Sequence, residues 1–266
     1  MISISFLIGW IGFTVMMSLL VASPYLIPLW IVLGYAVGFL VLTLVLLIHL
    51  PLMMMTKPDH RYKYYLTRST AFWVNHFVLR LHLEHEGLEN LPETGPLTLY
   101  ANHKSYADPF IMLELFKRPM TFTPKMAVFK IFLVGQWLKS MACFPIDRGS
   151  DRNTARAMVD AIKTVKNGMA MLIFPEGGIK DRHDEKMVAM RAGAYRVAMK
   201  SGADLLPIRI MGTTEIKHRA PWRNTKIKVI VFPVVKYNDI RGLSTADVAD
   251  MMFNMINNGT NPHTDK

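Results

Sequence analysis

Residues 97–109 read LTLYANHKSYADP, and this stretch predicts a strand, a turn and the start of a helix. Proline and glycine turn residues at positions 92–96 precede the short apolar run Leu97–Tyr100, which predicts a buried strand. From Pro109 onward, apolar residues recur at the spacing of one helix face. A strand that leads directly into a helix is the repeating unit of an α/β fold.

His103 and Asp108 lie five positions apart within this turn. On a continuous helix they would point about 140° apart, so only a turn can bring them together. A carboxylate that accepts from one imidazole nitrogen allows the other nitrogen to take a proton from a hydroxyl. The pair is therefore a candidate general base. The alternative is that Asp108 caps a helix whose first residue is Pro109, and that His103 is an ordinary loop residue.

The first 56 residues predict a membrane segment. All 31 Lys and Arg and all 20 Asp and Glu residues occur from Lys57 onward. Ile2–Ala22 and Tyr25–Met55 are each long enough to cross a hydrocarbon core of about 30 Å as helices, and Ser23-Pro24 separates them. The absence of a basic n-region argues against a cleaved signal peptide. We expect a two-helix hairpin over residues 1–56 that either spans the bilayer or dips into one leaflet.

The charge distribution predicts where the remaining domain, residues 57–266, is located. Lys57, Arg61, Lys63 and Arg68 follow the second apolar stretch, so the positive-inside rule places this domain on the cytoplasmic side of a cell or inner membrane. The formal net charge of +11 suits anionic lipid headgroups. Sequence signatures of nucleic-acid binding are not visible, and we expect no nucleic-acid partner. A noncatalytic module that binds anionic lipid is one interpretation of these features.

The domain over residues 57–266 alternates apolar runs with helical patterns. We expect helices from Pro109, from Asn153 to Asn167-Gly168, and over Val188–Lys200. The predicted strands are Leu97–Tyr100, Met120–Thr123, Cys143–Ile146, Met169–Phe174, Leu205–Met211 and Ile227–Val234. This alternation predicts an α/β fold with a mostly parallel mixed sheet flanked by helices. The single Cys143 lies in an apolar run, which favours a buried thiol over a nucleophile.

Three further segments lie at predicted strand ends or within a strand. The segment Phe174–Gly178 follows an apolar strand, and its two glycines allow backbone amides to approach a ligand, unless it is an ordinary turn. Arg148 follows the strand that ends at Ile146 and suits a phosphate contact, although a surface pair with Asp147 is the simpler alternative. Pro207 lies within an apolar strand, where we expect an edge or a bulge. The histidine spacing does not indicate a metal site.

Four blocks in this order resemble the glycerolipid acyltransferase family typified by 1-acyl-sn-glycerol-3-phosphate acyltransferases. The resemblance covers about Leu97 to Ile210. The blocks are Asn102-His103 to Asp108, Phe144-Pro145-Ile146-Asp147-Arg148, Phe174-Pro175-Glu176-Gly177 and Leu206-Pro207-Ile208. The resemblance implies that an acyl group passes from a thioester to the free sn-2 hydroxyl of 1-acyl-glycerol-3-phosphate, giving phosphatidic acid. The implied partners are membrane lipids, a lysophospholipid acceptor and an acyl-CoA or acyl carrier protein donor, with no further cofactor.

The resemblance also implies roles for individual residues. His103 would be the general base, and Asp108 would orient it. The glycerol phosphate would be held by Arg148, Glu176 and Gly177, and Lys125 would add positive charge.

The third block departs from the family pattern. Where the family usually continues with Thr-Arg-Ser, this chain has Gly178-Ile179-Lys180, so an arginine expected near the acceptor phosphate is absent. Lys180, Arg182 or Arg191 could supply the charge, although a lysine offers no planar fork. Acylation of a different lysolipid is therefore an alternative to phosphatidic acid formation.

Overall fold

The structure is a computed structural model that describes residues 1–146, 151–179 and 183–260. Its first two helices, α1 (Ile2–Val21) and α2 (Ile27–Met55), form an antiparallel hairpin. Ala22 adopts a left-handed conformation, with a φ of 46°, where α1 ends. Both helices are long and apolar enough to cross a membrane, and most of their surface is exposed. They agree with the predicted two-helix hairpin that precedes the sheet.

Within the described residues, one α/β unit follows the hairpin. Its helices are α3 (Arg61–Trp73), α4 (Asp108–Leu115), α5 (Met126–Phe129), α6 (Val134–Ser140), α7 (Asp151–Lys166), α8 (Arg196–Ser201), α9 (Ile216–Arg219), α10 (Tyr237–Ile240) and α11 (Thr245–Asn258). Its strands are β1 (Leu81–Glu86), β2 (Leu97–Ala101), β3 (Met120–Phe122), β4 (Ala170–Ile173), β5 (Asp204–Met211) and β6 (Thr225–Val231). A π-helical turn, Val74–Val78, extends α3 towards β1.

The six described strands form one mixed sheet in the order β1-β6-β5-β2-β4-β3. All neighbouring strands are parallel except β5 and β6, which are antiparallel. The carboxyl ends of β2, β3, β4 and β5 therefore meet at one edge of the sheet, which we call the carboxyl edge. The predicted fold class, a mostly parallel mixed sheet, is confirmed.

Helices and loops cover both faces of the sheet, as expected for parallel strands. Leu97, Leu99 and Ala101 of β2 pack into one core cluster with residues of α4 and α6. Tyr100 points to the opposite face, where it stacks on Tyr195 at a centroid distance of 4.3 Å. Burial on both faces explains why β2 is apolar without a period-two pattern.

Three sequence predictions differ from the fold. Cys143–Ile146 is not a strand, because only Ile146 forms a bridge, to Lys125. The predicted helix over Val188–Lys200 begins only at Arg196, after a 3-10 turn, because the Arg191 amide instead donates to the Pro175 carbonyl at 3.0 Å. Strand β1 was not predicted, since most residues of its sequence LHLEHE are polar and exposed. It is an outermost strand of the sheet, paired only with β6 among the described strands.

Pro207 lies at a bulge, as predicted. Two ladder positions flank it: Ile208 pairs with Val231, and Leu205 bridges Val235. Two residues of β5 thus face the three residues 232–234 of the opposing segment. The Pro207 carbonyl accepts from the Phe232 amide at 3.0 Å, and the bulge accommodates the missing proline N–H.

The hairpin packs against the α/β unit through α3 and α6. Phe6 of α1 lies 5.4 Å from Trp73 of α3, measured between ring centroids. The buried Lys63 ammonium donates to the carbonyls of Thr56, at the end of α2, and Ser140, at the end of α6, at 2.9 and 2.7 Å. Burial lowers the pKa of Lys63, and these carbonyls replace part of its hydration. One lysine therefore connects three helices.

Arg118 holds together the opposite edge of the sheet. Its buried guanidinium donates to the carbonyls of Pro92, Gly95 and Gly168 at 2.7–2.9 Å, and burial lowers its pKa. The first two carbonyls precede β2 and the third precedes β4. Arg118 therefore ties the starts of two adjacent strands to the start of β3.

Replacing Arg118 with Ala should lower the free energy of unfolding by about 2–4 kcal/mol, because three partly buried carbonyls lose a charged donor. Thermal and denaturant unfolding of the detergent-solubilised protein measures the loss. Lys117→Ala, at the exposed neighbour, is the matched control and should change stability by less than about 0.5 kcal/mol. Equal stability of the two variants would contradict the role given to Arg118.

Candidate active site

The candidate site lies at the carboxyl edge, where the chain leaves β2 and β4. The Asn102 side chain prolongs the pairing of β2 with β5: its amide donates to the Ile210 carbonyl at 2.7 Å and its oxygen accepts from the Ile210 amide at 2.7 Å. The asparagine side chain thus takes the place of a backbone pair. The backbone can then turn away from the sheet at His103.

The Asp108 carboxylate closes the turn that follows. Its Oδ2 accepts from His103 Nδ1 at 2.8 Å, from the Lys104 amide at 2.8 Å and from the Ser105 amide at 2.9 Å. Asp108 is the first residue of α4, and Ala107 holds the N-cap position. The N-cap interpretation of Asp108 is therefore wrong. Its side chain reaches back to residues 103–105 and binds the turn to the helix.

The His103 ring is held on two sides. It stacks on Phe174 at a centroid distance of 4.1 Å and an interplanar angle of 16°, and its side chain is 14% exposed. Because a carboxylate only accepts, we assign the Nδ1 proton to the bond with Asp108, which leaves a lone pair on Nε2. Among the described residues, Nε2 has no hydrogen-bond partner. The arrangement presents an oriented base at the carboxyl edge.

Glu176 connects the turn that follows β4 (the β4 turn) to the turn that follows β2 (the β2 turn). Its Oε1 accepts from the His103 amide at 2.8 Å, and its Oε2 accepts from the Lys104 ammonium at 3.1 Å. The side chains of Lys104 and Glu176 are both fully buried. These contacts are internal to the protein, so they position His103. The predicted contact of Glu176 with substrate stays a prediction.

Lys104 was not recognised from the sequence as part of the site. A charged residue placed inside a turn that leads into the core must find a buried counter-ion, because an unpaired buried charge is costly. The block Phe174–Gly177 contains one carboxylate, Glu176. The need of Lys104 for a buried counter-ion was therefore the signal in the sequence that could have paired it with Glu176.

Gly177 and Gly178 have φ angles of 71° and 144°, which favour glycine. A Cβ on Gly177 would lie 2.6 Å from Nε of Arg191, so the Arg191 side chain passes directly over this glycine. Arg191 is exposed, and its amide bonds to Pro175 of the same block. Lys180, Arg182 and Arg191 were the three cations that could replace the arginine missing from the third block. The structure places Arg191 against that block, Phe174–Gly177.

Of the remaining predicted residues, the structure describes Lys125, which lies on the β3 side of the carboxyl edge. Lys125 is exposed and follows β3, and its neighbours join it to Ile146: the Ile146 amide donates to Pro124 at 3.0 Å and the Met126 amide to Ile146 at 3.2 Å. Asp147 and Arg148 come immediately after Ile146 but lie outside the described residues, as do Lys180 and Arg182. The roles predicted for Arg148 and Lys125 stay predictions.

Cys143 is buried, as predicted. Burial raises its pKa to about 12, so the thiol stays protonated at neutral pH. The thiol is therefore not a competing nucleophile beside the site.

Three comparisons with known proteins agree with this geometry. Residues 82–211 match the family model described as Acyltransferase. A chloroplastic 1-acyl-sn-glycerol-3-phosphate acyltransferase from Arabidopsis thaliana is 33% identical over 132 residues, which cover 49% of this chain and 36% of that protein. A 1-acyl-sn-glycerol-3-phosphate acyltransferase from Borreliella burgdorferi is 32% identical over 127 residues, covering 48% of this chain and 50% of that protein. The matched part thus spans half or less of these relatives.

A crystal structure shares the fold over nearly the whole chain. The 1-acyl-sn-glycerophosphate acyltransferase PlsC from Thermotoga maritima superposes with a TM-score of 0.57 at 19% identity, covering 95% of this chain and 93% of that one. The likeness therefore extends over the hairpin as well as the sheet. Together, the family match and the relatives show that residues 82–211 of this chain form a domain of the Acyltransferase family.

Proposed function

We propose that this protein is a membrane-anchored O-acyltransferase that forms phosphatidic acid from 1-acyl-glycerol-3-phosphate and an acyl thioester. The observation that carries the proposal is the His103–Asp108 pair: Nδ1 is held at 2.8 Å, and Nε2 has no partner among the described residues. The acceptor follows the names of the relatives, which are 1-acyl-sn-glycerol-3-phosphate acyltransferases.

In the proposed step, His103 Nε2 takes the proton of the acceptor hydroxyl as the hydroxyl oxygen forms a bond to the thioester carbonyl carbon. Asp108 stabilises the imidazolium that results, since its buried Oδ2 already accepts from Nδ1. When the carbon–sulfur bond breaks, the thiolate leaves and recovers the proton from His103. The acyl chain passes directly from sulfur to oxygen without an acyl-enzyme.

Positioning supplies much of the rate in this proposal, because a thiolate is already a good leaving group. The carboxylates have separate roles: Asp108 orients the His103 ring, and Glu176 holds the His103 backbone.

Lys125, Arg148 and Gly177 are proposed to contact the acceptor phosphate. The proposed donor is an acyl-CoA or an acyl carrier protein thioester, since each presents a phosphopantetheine thioester. We propose no other cofactor.

The exposed hairpin supports a membrane location. An acceptor that resides in the bilayer can reach a site held at the interface without entering water. We place the α/β unit on the cytoplasmic side of a cell or inner membrane, on the basis of the basic residues that follow α2.

A second acceptor class is favoured by one observation. Gly178-Ile179 replaces the Thr-Arg pair of the family pattern, and the exposed Arg191 passes over Gly177 instead. A cation that comes from a separate loop could serve a lysolipid with a different headgroup.

Replacing His103 with Ala should lower transfer by about 10²–10⁴-fold, because the general base is lost. The fold should persist, since the Glu176 contact uses the His103 backbone amide. The measurement is transfer from labelled acyl-CoA and acyl carrier protein to lysophosphatidic acid and a panel of other lysolipids, with protein reconstituted in vesicles.

His85→Ala is the matched control, because His85 is exposed on β1, and it should retain full transfer. Full activity of His103→Ala would exclude the base assignment. Transfer only to another lysolipid would keep the mechanism and replace the acceptor. No transfer to any acceptor by the unmodified protein would favour the noncatalytic module that binds anionic lipid.

Replacing Glu176 with Gln tests whether this residue positions His103 or binds substrate. The amide oxygen can still accept from the His103 amide, but Lys104 loses its buried counter-charge. We expect stability to fall by about 3–5 kcal/mol and kcat to fall by roughly 10²-fold, with little change in the KM of the acceptor. Steady-state kinetics and thermal unfolding measure both effects.

The double variant Lys104→Met with Glu176→Gln is the control for this test, because it removes both buried charges. It should recover most of the lost stability. A large rise in acceptor KM with an unchanged kcat would instead identify Glu176 as a substrate ligand.

A further inference from the structure

The carboxyl edge lies on the side of the molecule towards which the hairpin extends. The Ile2 amide donates to Ser69 of α3 at 3.0 Å, and further along both chains Phe6 lies 5.4 Å from Trp73 and 6.3 Å from Phe77. Helix α3 and its π-helical turn therefore run in the same direction as α1. The chain leaves this turn through residues 79–80 and enters β1.

The start of β1 lies at the carboxyl edge. Leu81 pairs with Thr225 at the start of β6, and Lys228 of β6 pairs with Met211 at the end of β5. Helix α4 leads to the same conclusion about the carboxyl edge. Phe110 lies near the start of α4, beside His103 and Asp108, and its carbonyl accepts from Asn75 of the π-helical turn. The edge that carries His103 thus faces the bilayer into which the hairpin would insert.

The loop between β5 and β6 projects from this edge. Its residues 216–224 contain Trp222, whose side chain is 83% exposed. The loop backbone is held at two points: Arg80 donates to the Trp222 carbonyl at 2.9 Å, and Arg219 donates to the Asn224 carbonyl at 2.9 Å. A large indole is therefore presented to the outside on an anchored backbone.

The same loop is basic. Lys217, Arg219 and Arg223 are exposed, and no Asp or Glu occurs between Ile216 and Asn238. The nearest acidic residue in sequence is the exposed Glu215. Tryptophan favours the boundary between headgroups and acyl chains, and basic residues favour anionic headgroups, so the composition suits a lipid surface.

Other exposed apolar side chains lie in the segments that follow β2 and β3. Tyr106, Ile131, Phe132 and Val134 are exposed. Leu133, in the middle of that run, packs into the core cluster shared by α1, α2 and α3. The exposed apolar run at residues 131–134 therefore adjoins the helices of the hairpin.

We infer that residues 216–224 form a second membrane contact, specific for a bilayer that contains anionic phospholipid. Trp222 enters the headgroup boundary, and Lys217, Arg219 and Arg223 meet lipid phosphates. This contact lies outside residues 82–211, the segment that matches the family model. It rests on the membrane attachment proposed above, and it holds the carboxyl edge against the surface from which a lipid acceptor enters.

A single-cysteine reporter in the full-length protein tests this contact. Cys143, the only cysteine, is replaced with Ala, and an environment-sensitive fluorophore is placed at Asn224→Cys. The matched control is Asn167→Cys, which is exposed at the amino end of β4, on the opposite edge. Each protein is reconstituted into vesicles of phosphatidylcholine alone or with phosphatidylglycerol, with quenchers on the lipid acyl chains.

The Asn224 label should shift to shorter wavelength and be quenched in vesicles that contain phosphatidylglycerol, whereas the Asn167 label should stay in water. Trp222→Ala should reduce the quenching. Lys217→Gln and Arg223→Gln should each weaken the loop's association with anionic vesicles about fivefold, since a basic residue near such a surface contributes roughly 1 kcal/mol.

Equal behaviour of the Asn224 and Asn167 labels in both kinds of vesicle would overturn the inference. Acyl transfer measured on the same samples separates it from the proposed function. Quenching without transfer would refute the function alone, and transfer without quenching would refute the second contact alone.

Discussion

The buried Glu176 carboxylate is the contact on which the arrangement of the site depends. It lies 73 positions from His103 in the chain, yet it accepts from the His103 amide and from the Lys104 ammonium. Neither charge is exposed, so each needs the other, and the β2 turn and the β4 turn cannot separate without leaving a charge unpaired in the core. The pair sets the position from which the His103 ring projects.

A second buried carboxylate then sets the direction of that ring. Asp108 gathers three donors on one oxygen, two of them backbone amides of the turn, and the third is Nδ1 of His103. Phe174 closes one face of the ring. The His103 imidazole is therefore held by packing and by charge together, and the direction of its Nε2 is set by groups that are themselves held by several contacts. Proton transfer requires this kind of preorganisation, because a base that is misplaced loses most of its effect.

In the proposed function, the orientation of the sheet brings the candidate site to a lipid acceptor. Parallel strands bring the β2, β3 and β4 ends to one edge, and α3 directs that edge towards the hairpin. Lys63 fixes the angle between hairpin and domain by joining the ends of α2 and α6. The active-site edge and the apolar helices consequently face the same way.

The sequence by itself determined the features that depend on local pattern. The charge-free residues 1–56 predicted the hairpin, apolar runs predicted five of the six described strands, and the offset from His103 to Asp108 predicted a pair that only a turn could form. Strand β1 escaped prediction because its apolar alternation is short: Leu81 and Leu83 are followed by the polar, exposed residues Glu84-His85-Glu86. The run Cys143–Ile146 is apolar because it is packed, although only Ile146 forms a bridge.

The tertiary structure alone decided that Lys104 pairs with Glu176, that Asp108 closes the turn instead of capping α4, and that Arg191 passes over Gly177. These are contacts between segments far apart in the chain or choices among local alternatives. For Lys104, Glu176 and Asp108 the free energy of burying a charge, which depends on the completed core, selects among them.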